Sequence, residues 1–207
     1  MERVRSGGVR DPRVLAAMAA VPREEFVLAA DREQAYADRA LPIGEGQTIS
    51  QPLMVALIVE ALELRPGDLA LDIGTGSGYQ AAVMAACGAR VVSVERLPGL
   101  ARAAAERLRR LGCAVEVIAG DGSLGLPDRA PFNAIAVGAA APHLPAVLAR
   151  QLGEGGRLVV PIHAGPAGEN LVRLRVRAAA WLTEDLGPCR FVPLIGADAY
   201  APPRRDG

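Results

Sequence analysis

Apolar residues along this chain recur first at helical spacing and then in short buried runs, and the changes of period mark its elements. Val14, Leu15 and Met18 give one apolar side to a helix that starts at Asp11-Pro12, a capping carboxylate before a first-turn proline, and stops at Pro22. Arg23 to Val27 opens a second short helical piece. Asp31 to Ile43 is polar and irregular, with Tyr36 as its one large anchor. Gly44 to Pro52 is dense in turn formers and hydroxyls. Met54, Leu57, Ile58, Ala61 and Leu62 then predict a helix for which Ser50 reads as the N-cap. Leu69–Ile73 reads as a buried strand, the alanine-rich run from Tyr79 to Cys87 as a packed helix, and Val91–Val94 as a second strand. Leu100, Ala104, Leu108 and Leu111 mark an amphipathic helix whose other side carries Arg102, Arg109 and Arg110. Further strands are predicted at Val115–Ile118, Phe132–Val137 and Arg157–Ile162, with a helix through Leu144, Val147, Leu148 and Gln151 before the last. From Asn170 strands follow without helices, at Leu171–Val176, Trp181-Leu182 and Cys189–Leu194, so an antiparallel sheet edge is expected. The tail from Ala201 to Gly207 reads as loose.

The stretch from Leu69 to Glu95 is a βαβ unit with Gly74, Gly76 and Gly78 at its first turn, and Glu95 closes the second strand 21 positions after Gly74. An acid there is placed to accept hydrogen bonds from ribose hydroxyls. The G-x-G-x-G spacing differs from that of dinucleotide enzymes, and Asp72 stands two residues before the first glycine. A carboxylate at the mouth of the loop repels a pyrophosphate and favours a cation, such as the amino and sulfonium groups of S-adenosylmethionine. Asp121, in Gly120-Asp121-Gly122 after the next strand, lies at the edge where open α/β sheets hold ligands and is placed to accept from an adenine amine; an Asp-Gly turn is the alternative.

Composition narrows the classes. The chain of 207 residues carries 23 acidic and 23 basic residues, so no basic excess draws in a nucleic-acid backbone. All the basic residues are arginine, which rules out lysine-based Schiff-base or P-loop chemistry. Cys87, Cys113 and Cys189 are scattered and read as reduced thiols, and no His, Asp or Glu cluster has metal spacing. His143 and His163 receive no role. Neither a signal peptide nor a membrane-length apolar run is present, so the expectation is a cytoplasmic, monomeric protein with no membrane or nucleic-acid partner.

With these residues in view the chain resembles the protein-L-isoaspartate O-methyltransferases, of the class I S-adenosylmethionine-dependent methyltransferases. The resemblance runs from Val21 to Gly196. It is carried by Ala35-Tyr36-Ala37-Asp38, Gly46-Gln47-Thr48-Ile49-Ser50-Gln51-Pro52, Leu71 to Ala82, Val94-Glu95-Arg96, Gly120 to Gly125, Gly155 to Pro161 and Phe191-Val192-Pro193-Leu194. The Gln-Thr-Ile-Ser-Gln-Pro block is specific to that family, whereas the glycine loop belongs to the whole superfamily.

The resemblance implies an α/β fold: a doubly wound, mostly parallel seven-stranded sheet with helices on both faces. The expected arrangement is one domain, with an N-terminal substrate-side segment (1–50), a cofactor core (51–165) and C-terminal strands (166–200). It places the active-site serine at Ser50. Contacts to S-adenosylmethionine, or to its product S-adenosylhomocysteine, fall on Gln47, Thr48, Ile49, Ser50, Asp72, Gly74, Thr75, Gly76, Gly78, Glu95, Arg96, Asp121 and Gly122. Val192, Pro193 and Leu194 are expected on the isoaspartyl-substrate side, without a metal. Two departures from the family pattern, Asn133 for an acid and Gly138 for a threonine, are expected beside the substrate pocket. They leave open a carboxyl methyltransferase acting on one dedicated peptide; an NAD-dependent oxidoreductase and a non-catalytic binding protein are the remaining alternatives.

Overall fold

The computed structural model describes residues 2–202; the expected loose tail lies, beyond Pro202, outside them. The chain opens with α1 (Glu2–Ser6) and α2 (Pro12–Ala20). Asp11 caps α2 as its pattern predicts, accepting from the Arg13 backbone N–H at 2.8 Å. Two 3-10 turns follow, Arg23–Phe26 and Ala29–Gln34. Tyr36 is not an anchor. It is 61% exposed and its hydroxyl reaches out to Glu24, while the neighbouring Ala35 is the buried residue.

The turn-rich stretch before Ser50 is a hairpin that its short strands hid from periodicity: β1 (Leu41–Gly44) and β2 (Gln47–Ile49) pair antiparallel. Its tip residues Glu45 and Gly46 have φ of 49° and 71°, the left-handed pair that a tight hairpin turn requires. In α3 (Pro52–Ala61) the N-cap position belongs to Gln51, which makes no side-chain capping bond. Asp38 instead accepts from the Leu53 N–H at 3.2 Å, so Ser50 is not the cap of this helix.

The rest builds one sheet from β3 (Leu69–Ile73), β4 (Arg90–Glu95), β5 (Val115–Ala119), β6 (Phe132–Val137), β7 (Leu152–His163), β8 (Glu169–Arg177) and β9 (Ala180–Cys189), in the order β5-β4-β3-β6-β7-β8-β9. The first five run parallel; β8 and β9 pair antiparallel at the edge. Interspersed are α4 (Tyr79–Ala86), α5 (Pro98–Arg110) and α6 (Ala146–Ala149). Alternate residues of β6 enter two separate cores: Ala134 and Ala136 pack with α2, α3 and α4 residues on one face, and Ile135 and Val137 pack with Leu148 of α6 on the other. A sheet covered on both faces explains why its strands read as continuous apolar runs.

Two predicted elements differ. The helix before β7 spans only four residues, and Gln151 lies beyond it, its side chain accepting from Leu126 N and donating to Leu124 O, both at 2.8 Å. Cys189–Leu194 is not a third edge strand. The chain leaves the sheet after β9, and Val192 to Leu194 bond to Ala140 in the loop after β6: Ala140 N donates to Val192 O and Leu194 N to Ala140 O, both at 2.8 Å.

Candidate active site

Strand order reverses at β3, which lies between β4 and β6, and the carboxyl ends of these strands open into a cavity of about 320 Å³. That size falls within the range of small-molecule sites, and the location is the switch point where open α/β sheets bind ligands. Gly74 and Gly76 form one wall, with φ of 85° and 52°, conformations that an L side chain rarely adopts. Backbone N–H groups of Gly74 and Thr75 bond to Val94 O, tying the loop to the end of β4.

Glu95 sits on the same wall, only 6% exposed. Its Oε2 accepts from Gly76 N at 2.8 Å and its Oε1 from Leu97 N at 2.9 Å. Two backbone donors thus fix the carboxylate and leave lone pairs for a ligand hydroxyl. Apolar walls come from Ile73, Val94 and Leu97, and the hairpin supplies Gly46, Gln47 and Thr48. Val192 to Ile195 roof the cavity. A space of this size with one fixed acid and apolar sides fits a nucleoside with an aromatic base.

A second cavity of about 140 Å³ adjoins the first and shares Thr48, Gly138 and Val192 with it. Ser50 lines this space, and its hydroxyl makes no hydrogen bond among the described residues. The Ser50 carbonyl accepts from Nη2 of Arg23 at 2.8 Å. Arg23 is fully buried, donates through Nε to Ala35 O at 2.6 Å, and stacks 4.8 Å from the Tyr79 ring centre. Burial pushes its pKa down while Tyr79 pushes it back up, and a guanidinium stays charged in such a site. Sequence reasoning missed Arg23: nothing in Val21-Pro22-Arg23-Glu24 distinguishes a buried arginine from a surface one.

The two cavities gather Gln47, Thr48, Ser50, Gly74, Gly76, Glu95, Arg96, Gly122 and Val192 to Leu194 from the expected set. The last three face mainly the larger cavity rather than a separate substrate surface. Ile49 and Thr75 line only a small crevice beneath the loop.

Four expected residues lie elsewhere. Asp72 is fully buried under the glycine loop, accepting from Gln80 Nε2 at 2.8 Å and Ser93 Oγ at 2.6 Å. Desolvation pushes its pKa up against those two bonds, so it braces the loop rather than meeting a ligand at its mouth. Gly78 packs against Leu108 and Ala104 of α5. Asp121 turns to the C-terminal segment: Oδ1 accepts from Ser123 N at 2.9 Å and Ser123 Oγ at 2.7 Å, and Oδ2 from Ala197 N at 2.7 Å. Asn133 is at the wrong end of the sheet. It is the second residue of β6, and its Oδ1 accepts from the N–H of Leu69 at the start of β3 at 2.8 Å. Four residues of extended chain, about 13 Å, separate it from the carboxyl edge. Gly138, by contrast, touches both cavities.

The sequence profile described as protein-L-isoaspartate(D-aspartate) O-methyltransferase matches residues 1–199. The chain belongs to that family. It is 55% identical over 195 residues to protein-L-isoaspartate O-methyltransferase 1 of Geotalea uraniireducens, covering 93% of this chain and 89% of the relative. A relative of the same name from Methanoculleus marisnigri is 53% identical, covering 93% and 88%. A solved protein-L-isoaspartate O-methyltransferase superposes with a TM-score of 0.84 at 31% identity, over 95% of this chain and 64% of that one. A structure from Plasmodium falciparum, titled as a putative member in complex with S-adenosyl-L-homocysteine, gives 0.81 at 27% identity, over 94% and 95%. No helix among the described residues is long and apolar enough to cross a membrane.

Proposed function

We propose that this protein methylates the free carboxylate of L-isoaspartyl and D-aspartyl residues in damaged proteins, with S-adenosylmethionine in the larger cavity and the acceptor beside Ser50. The observation that carries the reading is the shared wall of Thr48, Gly138 and Val192, which joins a nucleoside-sized cavity to a smaller one presenting a free hydroxyl. When bound, S-adenosylmethionine supplies a methyl group activated by its sulfonium charge.

The chain's own contribution is placement. A carboxylate has a pKa near ~4 and is ionised at neutral pH, so no general base is needed. Glu95, fixed by Gly76 and Leu97, accepts from ribose hydroxyls, and the apolar walls hold the base. Ser50 donates to the acceptor carboxylate and sets which oxygen faces the larger cavity, while Arg23 fixes the Ser50 backbone. The roof from Val192 to Ile195 covers one side of the larger cavity. Alignment of this kind supplies on the order of 7–11 kcal/mol in favourable cases. The ester that forms is a better electrophile than the carboxylate and closes to a succinimide unaided, whose hydrolysis returns some normal aspartate.

Transfer of labelled methyl to matched isoaspartyl and aspartyl peptides tests the reading directly. Ser50→Ala should lower transfer to the isoaspartyl peptide about tenfold, one hydrogen bond's worth, with S-adenosylhomocysteine affinity and melting temperature unchanged. Because Ser50 caps no helix, Ser50→Asn should not rescue it. An alanine variant with wild-type transfer would remove Ser50 from the reaction.

A further inference from the structure

We infer that Arg190 is the residue that draws the acceptor carboxylate into the second cavity, acting on binding and not on the transfer step. The inference rests on the reading above. Of the described residues that line the cavity, Arg190 alone is charged at neutral pH; Cys189 beside it stays a neutral thiol, its pKa pushed up to about 11 by burial and then by Glu169 and Asp185. Arg190 is exposed, and among the described residues no carboxylate lies within ion-pair distance of it. Of the two nearby acids, the Asp185 carboxylate is turned to other partners. Asp185 accepts from Asn170 Nδ2 at 2.5 Å and Gly187 N at 2.8 Å, and Glu169 pairs across the sheet edge opposite Cys189; neither lines the cavity. An unpaired cation therefore stands at the rim of a space whose other polar side chains, Thr48, Ser50 and Gln51, are neutral.

The reaction's charge balance says what such a cation does. The acceptor enters as an anion and leaves as a neutral ester, its lost charge cancelling that of the sulfonium. A guanidinium in tight contact would stabilise the starting carboxylate more than the transition state and slow transfer. A cation at the solvent-facing rim instead raises the local concentration of the anion, an effect that salt screens.

The test uses an isoaspartyl peptide with blocked termini and no other acid, so that the acceptor is its one carboxylate. Arg190→Ala should raise the peptide's Kd, measured by anisotropy with saturating S-adenosylhomocysteine, and its KM by about fivefold, with kcat and melting temperature unchanged. It should also flatten the rise of KM with salt. Arg190→Lys should restore most of the affinity, and Arg190→Glu should weaken it further. Unchanged Kd and KM in Arg190→Ala, or a fall in kcat at constant KM, would overturn the assignment while leaving the methyl-transfer reading intact. A wild-type protein that binds no isoaspartyl peptide and transfers no methyl would overturn both.

Discussion

Asp121 separates two accounts of how the cofactor cavity is built. Its position after β5 marks it as an acceptor for an adenine amine, yet its oxygens hold Ser123 and the backbone of Ala197, and Ser123 Oγ accepts in turn from Asp198 N at 3.0 Å. The same segment supplies the cavity roof. Asp121→Asn keeps one oxygen for Ser123 but turns an NH2 group toward the Ala197 N–H, so the latch bond is lost. A hydrogen bond to a charged group contributes about 1.5–3 kcal/mol; for this half-buried carboxylate the lower end applies, roughly tenfold in the opening equilibrium.

Hydrogen exchange reads that equilibrium directly. Protection of the Leu194, Ala197 and Asp198 amides should fall about tenfold, and S-adenosylhomocysteine should bind more weakly by no more than the same factor. Gly196→Ala should open the latch from the other side, because a Cβ there would press on Asp121 Oδ1 and Ser123 Oγ. Weaker ligand binding with unchanged amide protection would refute the latch and return Asp121 to direct contact with the nucleoside.

Two further outcomes follow from the same placements. Asn133→Asp should leave kcat and KM for an isoaspartyl peptide unchanged, since either side chain accepts from Leu69 N–H far from the cavities; a rate change beyond twofold or so in a steady-state assay would contradict that position. Burial pushes the Asp121 carboxyl up, but the Ala197 N–H, Ser123 and Arg96 outweigh it and hold its pKa below the usual carboxylate value. A depressed folded pKa contributes stability that is complete above the unfolded value of about 3.9 and is lost as pH falls through the folded one. Protection factors of the Leu194, Ala197 and Asp198 amides should therefore stay level down to about pH 5 and drop below about pH 4, while Asp121→Asn shows no such drop.

What could be read in advance was what local backbone geometry dictates. Gly74 and Gly76 sit where a strand must turn sharply into a helix, and Asp11-Pro12 where a helix must begin, so neighbours in sequence decide both. The polar side chains at the strands were another matter. Asp72 is claimed by Ser93, 21 residues on, Asn133 by Leu69, 64 residues back, and Asp121 by Ala197, 76 residues on. Each motif announced a polar group near a strand, but the donor that captured it came from another element, and strand ends look alike whichever edge they face. Arg23 is the extreme case, since its role exists only once Ala35, Ser50 and Tyr79 surround it.

The captured carboxylates also suit the chemistry proposed for the cavities. A free carboxylate on the wall between sulfonium and acceptor would repel the incoming anion and lie ready as a rival nucleophile. Asp72 is the acid nearest that risk in sequence, two residues before Gly74, and it is held beneath the loop by Gln80 and Ser93 with no exposure. Asp121 is turned to the backbone of Ala197. Only Glu95 remains on the larger cavity's wall, and the backbone donors at Gly76 and Leu97 fix both of its oxygens. Among the described residues the smaller cavity carries no acid, and its one charge is the cation of Arg190. An anionic acceptor thus meets an attractive rim, a neutral hydroxyl and an opening toward a positively charged methyl donor, with Asp72, Glu95 and Asp121 each held in bonds of their own.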